Sequence, residues 1–365
     1  KPEVPPEAPP VVKVPTLQQA DFAEIRGWAT DELAAAWNAF RASCRALRFQ
    51  QNWRVACAEA EKLAQADTAG VRAYFETHFV PYRVSAPDGA TRGLATGYYE
   101  PLLKGSRARR APYLSPLYAP PDDLLIVDLG AVQPEVKNLR LRGRLEGRRV
   151  VPYWSRAEIA QGLAGTAGKE LLWVEDPIEA FFLEIQGSGR VQFESGEMVR
   201  LNYADQNGQP YRSIGRWLID RGELAANEAS MQGIKTWARA NPSRLQELLG
   251  QNPSYVFFRE QPVGDPTAGP PGAMGIPLTP ERSIAVDPKF IPLGAPVFLA
   301  TTFPNTQTPL ERLVIAQDTG GAISGPVRAD YFWGFGAEAG ALAGRMRQGL
   351  EMWVLLPKNF PLPKN

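Results

Sequence analysis

Histidine and cysteine are nearly missing from this chain of 365 residues, which has a single histidine, His78, and two cysteines, Cys44 and Cys57. That shortage removes whole reaction classes. A Ser-His-Asp triad would have to use His78, which lies in YFETHFVPY beside Tyr74, Phe75 and Phe79, where the end of a packed helix and a structural histidine are expected. A zinc centre needs several His or Cys ligands at set spacing, and Cys44 and Cys57 form no CxxC pattern and have no histidine partners. No metal and no cofactor is therefore expected. Charge of one sign is lacking as well, since 40 Lys and Arg nearly cancel 39 Asp and Glu. With no broad basic field to attract a polyanion, nucleic acid is excluded as an expected partner. No run reaches the roughly 18 consecutive apolar residues of a membrane-spanning helix, and the first residues are polar and proline-rich rather than a signal peptide. The chain starts at Lys1 without Met, as expected of a processed product whose targeting segment is missing.

What is present is enough to bury a core, with 44% hydrophobic residues, and the length suggests roughly two domains. Residues 1–15, KPEVPPEAPPVVKVP, contain six prolines and read as an extended, semi-rigid tether. From Thr30, the apolar Leu33, Trp37, Phe40, Cys44 and Leu47 recur at intervals of four and three, and Trp53, Cys57, Val71 and Phe75 continue the helical pattern. A disulfide between Cys44 and Cys57 would pin a helical hairpin in an oxidising compartment, and two buried free thiols are the alternative. After Pro81 come short aromatic and β-branched runs bounded by Gly and Pro, such as LATGYYEP, LLIVDLG and RRVVPYW. With 33 Gly and 34 Pro, many short strands and tight turns are expected, which favours barrels over an α/β sheet. Helices interrupt in IEAFFLEI, capped by Asp176 and Pro177, and in YRSIGRWLIDRG, MQGIKTWARAN and RLQELLG, where Trp217 and Trp237 are expected in a core. A loop over 261–275 precedes further strands in RSIAVDP, APVFLAT, RLVIAQD and MWVLLP.

The densest site-like segment is 317–336, QDTGGAISGPVRADYFWGFG. Asp318 ends an apolar run, and Gly320 and Gly321 permit a sharp turn. Asp330 is followed by Tyr331, Phe332, Trp333 and Phe335. A carboxyl among rings loses hydration, which raises its pKa toward that of a working general acid, and the rings offer faces for sugars. The plain alternative is that Asp318 caps a turn and Asp330 is a loop acid beside core aromatics. Asp318-Thr319-Gly320 is also the aspartic-protease triplet, but that chemistry needs two such carboxylates sharing a proton and the chain has one DTG. Elsewhere, Tyr98, Tyr99, Gln186, Ser188 and Tyr203 combine aromatic platforms with hydrogen-bonding groups, as carbohydrate recognition requires.

Taken together, GYYEP, FFLEIQGSGRV, YADQNGQPYRSIGRWLIDRGEL, NPSYVFFRE and QDTGGAISGPVRADYFWGFGAEAG resemble the membrane-bound lytic murein transglycosylase A family over about residues 75–357. The resemblance implies a mainly β fold with helices: a double-psi β-barrel domain, a smaller inserted β-barrel domain, and a substrate groove between them. It places the larger domain, with its N-terminal helices, at 16–103 and 262–365, and the insert at 104–261. It implies cleavage of the β-1,4 bond between N-acetylmuramic acid and N-acetylglucosamine in peptidoglycan, exolytic, with formation of a 1,6-anhydro product. Asp330 matches the catalytic aspartate of such enzymes and Asp318 a second functional one. Tyr98, Tyr99, Glu100, Gln186, Gly187, Ser188 and Tyr203 are the candidate glycan contacts. The expected partners are peptidoglycan glycan strands and proteins of wall synthesis, the expected state a monomer, and the expected location the periplasmic face of the outer membrane through a lipid anchor. Competing readings are a non-catalytic, expansin-like polysaccharide-binding protein and a hydrolytic muramidase that uses both acids.

Overall fold

The computed structural model describes residues 16–63, 65–133 and 141–362, so the proline-rich stretch read as a tether lies outside the described residues. Near the start of the described chain lie three α-helices, α1 (Ala34–Leu47), α2 (Arg54–Lys62) and α3 (Thr68–His78). The stripe read from the sequence is the buried face of α1, where Trp37, Phe40, Cys44 and Leu47 are all within 2% of full burial. Asp67 caps α3 by accepting the Gly70 N–H at 2.8 Å, and His78 ends that helix with its ring 5.0 Å from Tyr74. Cys44 and Cys57 are joined in a disulfide, with Cα atoms 5.2 Å apart, that ties α1 to α2. Closing a loop of 13 residues removes chain entropy from the unfolded state worth about 3 kcal/mol. The Cys44→Ala, Cys57→Ala double variant is therefore expected to lose about 3 kcal/mol in urea unfolding. Wild type measured with a thiol reductant should fall to the same midpoint region.

Strands β1 (Leu17–Gln19), β2 (Phe79–Val84) and β3 (Gly93–Glu100) lead into the second unit. That unit holds β4 (Leu102–Ser106), β5 (Ser115–Tyr118), β6 (Leu125–Ile126), β7 (Arg142–Glu146) and β8 (Arg149–Pro152), then α4 (Arg156–Ala160), β9 (Glu170–Val174), α5 (Pro177–Gln186), β10 (Ser188–Phe193) and β11 (Met198–Gln206). Helices α6 (Ile214–Asp220), α7 (Met231–Ala240) and α8 (Leu245–Gly250) follow, and β12 (Val256–Pro262) ends it. The chain then returns to the first unit with β13 (Ser283–Val286), β14 (Pro296–Thr302), β15 (Pro309–Asp318) and β16 (Arg328–Phe335), and after α9 (Gly336–Ala343) closes with β17 (Arg347–Pro357). The compact units divide between Tyr98 and Tyr99 and between Pro270 and Pro271, and residues 335–344 pack with the second unit. The sequence reading set these divisions at 103/104 and 261/262 and kept α9 with the first unit. Glycine at 340 lets α9 approach the Tyr99 ring closely, since a Cβ there would lie 2.7 Å from it.

In the first unit the strands run β17-β14-β15-β13-β16-β3, and β3 pairs again with β17, which closes a ring of six. This is the double-psi β-barrel. β13 and β15 are parallel, and β2 extends the sheet beside the second half of β17. All of Pro296–Thr301 in β14 is buried, because one face fills the barrel and the other is covered. A fully buried glutamine fixes the end of β15 to α1: Gln317 donates to the Ala39 carbonyl at 3.0 Å and to Ser43 Oγ at 2.9 Å, and accepts from Ser283 Oγ. Its neighbour is Asp318.

The second unit has a six-stranded sheet, β12-β11-β10-β4-β9-β5, whose edge strands β5 and β12 also touch, and a three-stranded sheet, β6-β7-β8. Leu103, Leu172, Leu183, Val191, Leu201 and Phe258 fill the sheet's core. Helices α5 to α8 pack Phe181, Phe182, Leu218 and Trp237 into a second cluster, with Trp217 partly buried against it. Asp176 caps α5, accepting the Ile178 N–H at 2.9 Å, and Gly187 ends it at φ 78°, a conformation that favours glycine.

Candidate active site

Ala285 in β13 is the reference point for the site. Its register partner on one side is Asp318 of β15 and on the other Asp330 of β16. Residues in register point to one face of a sheet, so the two carboxylates share a face, with Cα atoms separated by two strand spacings, roughly 10 Å. Strand β3 spans both. Thr96 and Tyr98 are two apart and so project to the same side. The Thr96 hydroxyl donates to Asp330 Oδ1 at 2.6 Å, and the Tyr98 hydroxyl donates to Asp318 Oδ2 at 3.1 Å. Asp318 Oδ1 also accepts the backbone N–H groups of Ala273 and Thr319, at 3.0 and 2.9 Å. Arg328 donates to Thr96 Oγ1 at 2.9 Å and to the Ala329 carbonyl at 2.6 Å.

These contacts set the two acids apart. Loss of hydration pushes Asp330 up to about 6, against the Thr96 hydrogen bond and the Arg328 charge and with the help of the Asp318 charge. Burial raises Asp318 as well, opposed by the Thr319 N–H, the Tyr98 hydroxyl and the Ala273 N–H. The Tyr98 hydroxyl is held well above its ordinary value by burial and by both nearby carboxylates, so it remains a donor. Burial lowers Arg328. Among the described residues, no group of three His, Cys, Asp or Glu side chains converges as metal ligands would.

Of the four aromatic residues after Asp330, Phe335 is exposed and the other three are not placed as sugar platforms. Tyr331, Phe332 and Trp333 are buried at 0, 1 and 4% exposure, so they pack the barrel and offer no face to a sugar. Asp330 itself is a strand residue rather than a loop acid, because the aromatic run supplies the continuously buried stretch of β16, from Tyr331 to Gly334. Phe332 stacks 5.1 Å from Tyr98 and fixes the ring that reaches Asp318.

The remaining candidate contacts divide. In the second unit, half-buried Gln186, Gly187 and Ser188 form the corner between α5 and β10, and Gln186 Oε1 accepts the Tyr99 backbone N–H at 3.1 Å. Tyr203, half-buried, donates its backbone N–H to the Gly187 carbonyl at 2.7 Å, which brings its backbone to the same corner. The Tyr99 ring is buried. Glu100 departs from expectation: it is fully buried, and its oxygens accept from Arg190 Nε at 2.9 Å and Arg200 Nε at 2.5 Å. A carboxylate committed in this way holds protein together and presents no oxygen to a ligand.

Sequence reasoning missed Thr96 and Arg328. A period-2 signal was available for both, since Thr96 precedes Tyr98 by two and Arg328 precedes Asp330 by two.

Two family models match the chain: the MltA specific insert domain over residues 94–259 and the 3D domain over residues 282–356. Membrane-bound lytic murein transglycosylase A of Vibrio cholerae is 37% identical over 216 residues, which are 57% of this chain and 57% of that protein. The match thus spans less than two thirds of that relative's length. The crystal structure of MltA from Neisseria gonorrhoeae in a monoclinic form superposes with a TM-score of 0.83 at 40% identity, covering 98% of this chain and 99% of that one. The crystal structure of Escherichia coli MltA with bound chitohexaose gives a TM-score of 0.70 at 27% identity, covering 96% and 99%. Two collinear domain matches and near-complete coverage of a solved relative at 40% identity show that the chain belongs to the MltA family.

Proposed function

We propose that this chain is a peptidoglycan lytic transglycosylase in which Asp330 serves first as general acid and then as general base. The observation that carries the reading is the raised Asp330 carboxyl on a shared sheet face with a second acid that receives three hydrogen bonds. Protonated Asp330 gives its proton to the oxygen bridging N-acetylmuramic acid and N-acetylglucosamine. The C1–O bond breaks with its electron pair going to that oxygen, and C1 gains oxocarbenium character. Asp330, now ionised, takes the proton of the C6 hydroxyl of the same sugar as O6 bonds to C1. The acid is restored and no water is consumed. The three donors on Asp318 work against the rise that burial causes, which suits a carboxylate whose charge would steady positive charge at C1 and favour the protonated form of Asp330.

The relative solved with chitohexaose supports a glycan ligand of the N-acetylglucosamine type. We assign Gln186, Gly187, Ser188 and Tyr203, at one corner of the second unit, to glycan contact and Tyr98 of the first unit to a place beside Asp318, while the buried Tyr99 holds Gln186 through its backbone N–H. Exolytic release from strand ends and placement at the periplasmic face of the outer membrane complete the reading. The placement is supported by relatives named membrane-bound and by a disulfide suited to an oxidising compartment. No helix among the described residues is long and apolar enough to cross a membrane.

Purified sacculi test the assignment: anhydro-ended muropeptides are expected. Reducing ends would make the enzyme a hydrolase, and binding without release would make it no enzyme. A pH profile adds a second check. Because the first step needs the protonated acid, kcat/KM should be flat below about pH 6 and fall about tenfold per unit above it. A profile that rises through pH 6 would mean that Asp330 starts as a base.

A further inference from the structure

The hydrogen bonds around Asp330 have a fixed direction. Arginine has only donors, so Arg328 places an N–H on Thr96 Oγ1 at 2.9 Å and takes one of its lone pairs. The Thr96 hydroxyl has one proton, and among the described contacts its other partner is Asp330 Oδ1, at 2.6 Å. The threonine proton therefore points at Oδ1. For Oδ1 itself to carry a proton, Thr96 would have to accept two donors and direct its own hydrogen at nothing. Arg328 cannot swing away easily, since it also donates to the Ala329 carbonyl at 2.6 Å and the Leu94 carbonyl at 3.4 Å, on the two strands it bridges.

We propose that Thr96 and Arg328 are positioning residues that confine the transferable proton to Oδ2 of Asp330, with Oδ1 an acceptor in both protonation states. The inference rests on the role given to Asp330 above. It adds a consequence for both halves of the reaction: the oxygen that delivers the proton to the leaving group is the one that later collects it from the C6 hydroxyl. The same Thr96 hydrogen bond stabilises the carboxylate left after the first transfer. The other charged or titratable groups near Asp330 are Asp318 on β15 and Tyr98 on β3, and Arg347 on β17 acts on Arg328.

The test uses the full chain with Thr96→Val, which keeps the shape and removes the hydroxyl. A hydrogen bond to a charged group is worth an order of magnitude or more, so kcat should fall about tenfold with KM little changed, and the pH inflection should move up by about one unit. Infrared difference spectra across pH 6 supply a readout that a purely structural role would not move. The C=O stretch of protonated Asp330, assigned by its absence in Asp330→Asn, should shift to higher frequency in Thr96→Val, because the carbonyl oxygen loses its donor. Thr96→Ser should restore rate, inflection and band together, which separates positioning from a folding defect. If the band and inflection stay put in Thr96→Val while Asp330→Asn is inactive, the positioning proposal fails and the role of Asp330 survives. An active Asp330→Asn enzyme would overturn both.

Discussion

Asp330→Asn is expected to cut the rate of muropeptide release by on the order of a thousandfold while making the protein more stable at neutral pH. The loss of rate follows from removing a group that acts in both proton transfers, each worth about 10²–10⁴. The gain in stability follows from linkage. The folded-state pKa of Asp330 is raised from 3.8 to about 6, so between those values the folded chain holds more protons than the unfolded one. Stability from this group is complete below pH 4 and is lost as pH rises through 6. Asparagine removes that loss, so the variant should gain about 1–3 kcal/mol at pH 8 and almost nothing at pH 4. Urea unfolding at the two pH values checks the sign. Equal effects at both would mean that the carboxyl is not held in its neutral form by the fold.

Glu100→Gln is expected to produce the largest destabilisation. Its carboxylate is wholly buried between Arg190 and Arg200, and these arginines also bind the Pro266 and Ala268 carbonyls. Removing one member of a buried ionic cluster leaves charges without compensation, at a cost of about 3–5 kcal/mol. Here two guanidinium groups would be stranded, and the segment they anchor around Ala268 should become sensitive to proteases. A side chain that touched glycan would behave otherwise: Glu100→Gln would raise KM and leave the unfolding midpoint alone. Melting temperature and KM, measured on one preparation, decide between these.

The fate of Glu100 shows where reading residues in a line falls short. GYYEP marked a site, and Tyr98 does reach Asp318, yet the burial of Glu100 depends on arginines about 90 and 100 positions later that the sheet brings to it. Pairings of that kind are set by strand order, which no local pattern carries. The α1 stripe, the caps of α5 and the strand ending in Asp318 were legible because each depends on neighbours within a turn or two. The run after Asp330 was misjudged for a related reason. Tyr331, Phe332 and Trp333 are as apolar in a barrel wall as on a sugar platform, and only the tertiary packing on both faces of their strand decides that all three are buried. Asp318 and Asp330 could be singled out by their surroundings, but their common alignment on Ala285 required one parallel and one antiparallel pairing of β13.

The central claim is that a proton leaves Asp330 and returns to it as the sugar closes on its own C6 oxygen. Digestion of sacculi in water enriched in ¹⁸O, followed by mass spectrometry of the released muropeptides, tests it most directly. The account predicts anhydro ends with no ¹⁸O incorporated. Reducing ends that carry one ¹⁸O would show that water is the acceptor and would contradict it.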